Sequence, residues 1–477
     1  MALFFKKRGE AGLERGKRIS PPKAVAFSFL LAILFGSLLL ELPFATSRKY
    51  KDESGRSSLP YIDALFTATS ATCVTGLGAK DTGKDFSLFG QLVILLLIQA
   101  GGLGIMAMST FFLLLFGRRI TLRESVTVRA SLGERGVRST AAFLRYALVL
   151  TLVVELAGAL VLFWRFHWGR DSLGLATAAY HAIFHAVSAF CNAGFSLYTN
   201  NLMGKEWLVV MTVAVLIVLG GLGFIVLYNI LNLRLWRKDK FARGRLTLQS
   251  RIVLWATGLL LAVGLIAFFV LEWNTPGMAG QPIPKRLMHS LFCSVTPRTA
   301  GFNSISYGEM SAPGLLLTIF LMFIGASPGS TGGGIKTCTF VVLLVTAYAI
   351  IRGQRNVVLF RRTVPARVVQ EATAVVLIAL LFVFASTMAL SISERAPESW
   401  PASQGGFALR TTFEVMSGFG TVGLSTGITP FLSVVGKVII TVTMFVGRTG
   451  PLALALVVAG REVLPPVEYP EESVMVG

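Results

Sequence analysis

The sequence predicts an all-α integral membrane protein: four tandem units, with eight spans and four re-entrant pore helices, around one pore. Two observations carry this. First, 54% of the 477 residues are hydrophobic and only 14% are charged, with a mean hydropathy of +0.69. Apolar runs of about twenty residues, the length that crosses a bilayer, recur throughout. Second, residues 71–77, 190–195, 297–302 and 419–424 share one layout: a Gly followed by Phe or Leu and preceded by small or polar residues. The aligned glycines are Gly76, Gly194, Gly301 and Gly423, spaced by 118, 107 and 122 residues. One such stretch reads as an ordinary turn. Four at a near-constant period argue for an internal repeat, and rings of backbone carbonyls select cations.

Spans are expected near 23–44, 88–116, 140–164, 207–231, 252–272, 314–350, 370–392 and 432–459. The formal charge of +20 is not a nucleic-acid signature, because the basic residues cluster at span junctions. Clusters lie at Lys6–Lys23, Arg118–Arg145, Arg234–Arg251 and Arg352–Arg367, with fewer basic residues in the loops between. This alternation follows the positive-inside pattern and places both termini in the cytoplasm. The first span is long and lacks a small-residue cleavage site, so no cleavable signal peptide is expected. The cysteines Cys73, Cys191, Cys293 and Cys338 show no CxxC spacing, which argues against zinc or a disulfide framework.

Within each unit the order is span, short helix, Gly-bearing stretch, span. The short helices are read around 61–70, 179–189, 285–293 and 408–417, too short to cross and therefore re-entrant. Irregular backbone at that depth is tolerated only beside protein or a watery cavity. A helix C-terminus aimed at the axis favours a cation there, and residues without a Cβ let carbonyl-bearing strands pack closely.

The third unit departs from this plan. Its second apolar stretch, 313–351, would extend roughly 58 Å as one helix, against a hydrocarbon core of about 30 Å. Its middle, 325–336, holds five glycines and a proline and cannot remain helical. A phosphate loop is a poor fit, because Ile335 precedes Lys336 where the Walker pattern has Gly and apolar helix flanks the loop. A flexible plug and a passive helix break are the two readings. Arg448 lies well inside the last span and either donates to the carbonyls of this loop or lines the pore. Lys336 is expected to snorkel to the cytoplasmic interface.

His181 and His185 stand one turn apart without a third ligand and read as packing groups rather than a metal site. Asp63 and Glu414, on the first and fourth short helices, either tune the field near the ion path or satisfy nearby backbone groups.

The stretches 70–77, 184–195, 296–302 and 417–427, with the 325–336 loop and 447–451, together resemble the Trk/Ktr/HKT superfamily of potassium transporters, most closely the membrane subunit of bacterial Ktr systems. The resemblance spans about residues 20–460. It implies four M1–P–M2 units (20–131, 132–246, 247–366 and 367–462) between cytoplasmic tails at 1–19 and 463–477. It implies K⁺ uptake through a non-enzymatic pore with no covalently bound cofactor, Na⁺ being a candidate activator. It implies a homodimer in the cell membrane that works with a cytosolic nucleotide-binding ring of RCK type. Carried over residue by residue, the selectivity filter is Thr72, Cys73, Val74, Thr75 and Gly76; Phe190, Cys191, Asn192, Ala193 and Gly194; Pro297, Arg298, Thr299, Ala300 and Gly301; and Phe419, Gly420, Thr421, Val422 and Gly423. The gate is Gly325, Ala326, Ser327, Pro328, Gly329, Ser330, Thr331, Gly332, Gly333, Gly334, Ile335 and Lys336, latched by Arg448. Plant relatives with Ser at the first filter glycine prefer sodium, so Gly76 favours potassium. Pro297 and Arg298 depart from the regular potassium-channel pattern and imply looser selectivity. A sodium-preferring channel of the same architecture and a polytopic membrane enzyme remain as alternatives. Paired intramembrane acids or a metal triad would mark the enzyme, and the sequence offers neither.

Overall fold

The computed structural model describes residues 21–47, 50, 58–103, 140–169, 172–233, 246–354, 356–394, 400 and 406–450. The expected tails, much of the basic clusters at 118–145 and 234–251, and the ends of the first and last units lie outside these residues.

The described chain is almost entirely helical. In order, the helices are α1 (Pro21–Glu41), α2 (Tyr61–Thr72), α3 (Leu88–Gly102), α4 (Thr140–Trp168), α5 (Leu175–Phe190), α6 (Trp207–Leu222), α7 (Phe224–Leu231), α8 (Leu248–Leu271), α9 (Ile283–Val295), α10 (Ala312–Phe323), α11 (Thr337–Ile351), α12 (Ala366–Glu394), α13 (Phe407–Gly420) and α14 (Val434–Thr449). A two-residue hairpin pairs Val358 with Thr363 and Leu359 with Arg362. Its turn uses left-handed Phe360 and Arg361, and no sequence signal had suggested it.

Burial runs opposite to that of a water-soluble protein. The helices α4, α8 and α12 are long and apolar enough to cross a membrane, yet they expose large side chains such as Leu152, Leu156, Leu259, Ile266, Leu381 and Phe384. The short helices α2, α5, α9 and α13 are the buried ones, and they carry Thr67, Ser70, Ser188, Ser294 and Ser417 at or near zero exposure. Apolar surface is at no disadvantage against lipid, while polar groups and irregular backbone must be enclosed by protein. The buried polar residues of the short helices are therefore at the centre of the described fold.

The helices close into a cycle. Each short helix packs on the long helix before it: α2 on α1, α5 on α4, α9 on α8 and α13 on α12. The helix after each short one then packs on the short helix of the next quarter: α3 on α5, α6 on α9, α10 on α13 and α14 back on α2.

The ends of these helices on one side of the cycle are clamped by polar contacts. Glu272, capping α8, accepts from Ser311 Oγ at 2.6 Å, and Ser311 caps α10 by accepting from the Gly314 amide at 3.1 Å. Glu394, ending α12, accepts from Ser433 Oγ at 2.7 Å, and Ser433 caps α14 through Gly436 at 3.1 Å. The second quarter makes the tie with charges instead, from Arg165 on α4 to Glu206 at the start of α6. In the first, Ser87 donates to the Phe44 carbonyl at 2.6 Å and caps α3. A short polar side chain satisfies the free amides of a helix start, and the carboxylate fixes that start against its neighbour.

The 325–336 break occurs as expected, between α10 and α11. A second break was not expected: the stretch 207–231 reads as one span but bends by 96° between α6 and α7. Gly223 adopts φ 88° at the corner, and the Phe224 amide donates to the Gly329 carbonyl at 3.0 Å. A tertiary contact from the third unit thus holds the bend. Glu394→Ala removes the acceptor that holds the start of α14, at a cost of about 1–3 kcal/mol. It should lower the unfolding temperature in detergent by several degrees, whereas Glu371→Ala, in an exposed i,i+4 pair with Arg367, should not; equal midpoints would contradict the clamp.

Candidate functional site

At the centre of the cycle the four short helices each end in an extended stretch with one backbone pattern. The glycines Gly76, Gly194, Gly301 and Gly423 have φ of 54°, 71°, 74° and 94°. Two residues earlier, Val74, Asn192, Thr299 and Thr421 are also left-handed, with φ of 53°, 60°, 74° and 49°. Left-handed φ is costly for ordinary L-residues, so four such residues at one register position mark a constrained backbone. Alternating hand along a strand turns successive carbonyls to the same side. The amides are turned the other way, onto the helix just ended. Thr75, Ala193 and Val422 each donate to a carbonyl five residues back, on Ser70, Ser188 and Ser417, at 2.9, 2.7 and 2.8 Å. In the third strand Ala300 donates four residues back, to Thr296, at 3.0 Å. That strand, bearing Pro297, is the irregular one.

The four strands meet. A methyl group placed on Gly76 would lie 2.6 Å from the Ala193 carbonyl oxygen, on Gly194 2.9 Å from that of Ala300, and on Gly301 2.5 Å from that of Val422. On Gly423 it would overlap the Thr75 carbonyl oxygen, which closes the ring. On one side of the ring lies a cavity of about 520 Å³ bordered by Gly76, Gly194, Lys80, Asp81, Asp85 and Tyr198, among others. Asp81 and Asp85 are engaged locally: Asp81 accepts from the Gly83 amide at 2.9 Å and Asp85 from the Asp81 amide at 2.8 Å.

The 325–336 loop lies against the strands. The Gly333 amide donates to Thr421 Oγ1 at 3.0 Å, and Thr331 Oγ1 donates to the Phe190 carbonyl at 3.3 Å. Its Ser327 amide donates to the Gly221 carbonyl of α6 at 3.1 Å. Arg448, 6% exposed, donates to the Thr331 carbonyl through one Nη and to the Gly101 carbonyl of α3 through the other. One guanidinium thus ties the third-unit loop to the first and fourth quarters. Of the two sequence readings for Arg448, donation to the loop carbonyls is the one observed. Lys336 departs from expectation. It does not extend away but folds back, donating to the Gly332 carbonyl at 2.7 Å, because that loop offers carbonyls within reach of its chain.

A model of the cation transport protein family TrkH matches residues 41–463. The chain belongs to this family. It is similar to the Ktr system potassium uptake protein B of Bacillus subtilis, 38% identical over 96% of this chain and 97% of that protein. It is equally similar to the potassium/sodium uptake protein NtpJ of Enterococcus hirae, 38% identical over 97% of this chain and 98% of the other. Among solved structures it shares the fold of the potassium transporter TrkH from Vibrio parahaemolyticus, with a TM-score of 0.65 at 18% identity, covering 94% of this chain and 86% of that one.

The remaining candidates in this TrkH-family chain take structural partners. Asp63 accepts from Lys437 Nζ at 2.6 Å, joining the first and fourth quarters. Glu414 accepts from the Thr426 amide at 3.2 Å and from the hydroxyls of Ser425 and Thr429. These contacts favour the second of the two sequence readings for Glu414, while Asp63 takes a side-chain cation rather than backbone. His185 lies 2.7 Å from the His181 carbonyl and 3.1 Å from Ser196 Oγ. Among the described residues no group of three His, Cys, Asp or Glu could hold a metal ion. Arg298 turns away from the ring and donates to Thr257 Oγ1 of α8 at 3.1 Å.

Two features escaped the sequence reading. The residue Gly101, Gly220 or Gly447 packs so closely on Thr72, Phe190 or Phe419 that a methyl group would overlap that residue's carbonyl. The signal was a recurring Gly-x-x-Gly at 101–104, 220–223 and 447–450, in which Arg448 stands where the other two have Gly. The other is Glu155, a buried acid in the apolar helix α4. Cys73, Cys191 and Cys293 are fully enclosed behind the ring. A membrane-permeant maleimide should therefore leave all three unmodified in the folded protein and reach them only after denaturation. Labelling of Cys73 or Cys191 under native conditions would contradict this packing.

Proposed function

We propose that this chain is the pore subunit of a potassium uptake system, conducting K⁺ down its electrochemical gradient through one fourfold filter. The observation that carries the reading is the closed ring of Gly76, Gly194, Gly301 and Gly423, with left-handed backbone at two register positions in all four strands. Carbonyls aligned by that backbone replace the hydration shell of a cation, and the C-terminal ends of four short helices add a favourable dipole. An inside-negative potential supplies roughly 2.3 kcal/mol per charge per 100 mV. The relatives named for potassium uptake support K⁺ as the ion. The architecture that goes with this reading is four M1–P–M2 units, eight spans and cytoplasmic termini.

The 325–336 loop serves as the gate and Arg448 as its latch. A guanidinium can hold carbonyls of two elements at once, and here it holds the loop against the inner end of the ring. A cytosolic nucleotide-binding ring of RCK type, acting on a homodimer, would pull the helices apart and release it. Relatives named as components of a Ktr system support a regulatory partner. The name potassium/sodium uptake protein borne by one relative keeps a Na⁺-conducting variant of the same pore as the second reading.

Rb⁺ flux into liposomes holding only this protein tests both parts. Gly→Ser at any ring glycine, in variants that elute as the native species, should lower preference for Rb⁺ over Na⁺, because a side chain displaces carbonyl ligands. Unchanged preference in all four would refute the filter. Arg448→Ala, or deletion of 329–333, should raise basal flux several-fold and leave ion preference intact. Wild-type basal flux in a well-folded deletion would mean that the loop is no gate.

A further inference from the structure

Glu155 sits in the middle of α4, within an 18-residue apolar stretch of mean hydropathy 2.3, and is 6% exposed. A carboxyl at that depth needs a partner or a task. Its contacts are specific. Oε2 accepts from Gln99 Nε2 of α3 at 3.4 Å, and Oε1 lies 3.7 Å from Cys191 Sγ, which can donate to it. Cys191 Sγ is also 3.7 Å from Gln99 Oε1, so the three side chains form one polar cluster. Cys191 caps α5 and belongs to the second strand of the ring, three residues before Gly194. The cluster therefore lies directly behind that strand, where the first and second quarters join.

We infer that Glu155 tunes cation affinity, its carboxylate setting how strongly the ring holds its cation. The inference rests on the filter reading above. Both oxygens of Glu155 have a donor within reach, the Gln99 amide N–H and the Cys191 thiol, so a carboxylate there can accept at each oxygen. Among the described residues no Lys or Arg is bonded to it, so its charge is not cancelled by direct contact, and the low-dielectric protein around it screens it weakly. A negative charge behind one of four carbonyl strands favours a cation in front of it. Buried charges of both signs stand near the ring: Arg298 behind the third strand, Arg448 beside α3, and Glu414 bonded just past the fourth strand. Glu155 is the acid behind the second strand, and the neutral pair Gln99 and Cys191 anchors it without neutralising it.

The test is Rb⁺ uptake into liposomes by Glu155→Gln and Glu155→Asp, with Gly194→Ser assayed beside them. Glu155→Gln keeps the size and polarity of the side chain and removes the charge. It should raise the half-saturating Rb⁺ concentration about tenfold, the effect of roughly one unit charge acting across a short stretch of protein. Glu155→Asp keeps the charge and should recover most of the wild-type value. If Glu155→Gln matches wild type while Gly194→Ser loses ion preference, the filter stands and this role for Glu155 fails. If Gly194→Ser keeps wild-type preference, the filter reading itself fails. If Glu155→Gln raises basal flux with half-saturation unchanged, the carboxylate serves the Arg448 latch across α3 and the inference is overturned.

Discussion

The structure depends on one close approach, that of four glycine-bearing backbones to one another at the centre of the helix cycle. Each ring glycine has the carbonyl of the next strand where its side chain would be, so the ring admits no Cβ. The same approach dictates the left-handed backbone at Gly76, Gly194, Gly301 and Gly423, a conformation glycine adopts without steric penalty. It also explains why the short helices are the most buried elements. Their role is to end at the ring and to offer their last carbonyls to the strand amides, leaving the strand carbonyls for the axis. Long helices then need only face lipid outside and cover polar backbone inside.

The second constraint is irregular backbone at depth. The 325–336 loop survives there because every approach to it brings a polar partner: Thr421, the Phe190 and Gly221 carbonyls, Lys336 from its own end and Arg448 from the last helix. Arg448 stands where two other quarters have a glycine, against a carbonyl of the first quarter and one of the loop. Replacing a close-packing glycine by a guanidinium turns a plain helix contact into a tie between three units. That asymmetry, and the irregular third strand, are what separate this ring from one of four equal parts.

Much of this was legible in the residues. The four glycines, their period and the flanking short helices gave the cycle, and the Gly-rich interruption gave the loop. Arg448 was legible because a charge in an apolar run needs a partner, and the same reasoning would have found Glu155 had it been applied to α4. The bend at Gly223 was not legible, since a single Gly in an apolar stretch is compatible with a straight helix and only the Gly329 carbonyl decides otherwise. Nor was the position of Lys336, because a chain of that length can reach either the membrane surface or its own loop, and the loop geometry makes the choice. The helix clamps at Glu272 and Glu394 join residues 39 apart, beyond the reach of local pattern. Their Ser-x-x-Gly caps at 311–314 and 433–436 were in plain view.

The central claim is that the four strands form one cation site on one axis. An experimentally determined structure of the protein in Rb⁺, with anomalous scattering recorded at the rubidium edge, tests it most directly. The account predicts an Rb⁺ peak surrounded by the carbonyls of Thr75, Ala193, Ala300 and Val422. Rb⁺ density elsewhere in the molecule, with none inside that ring, would contradict it.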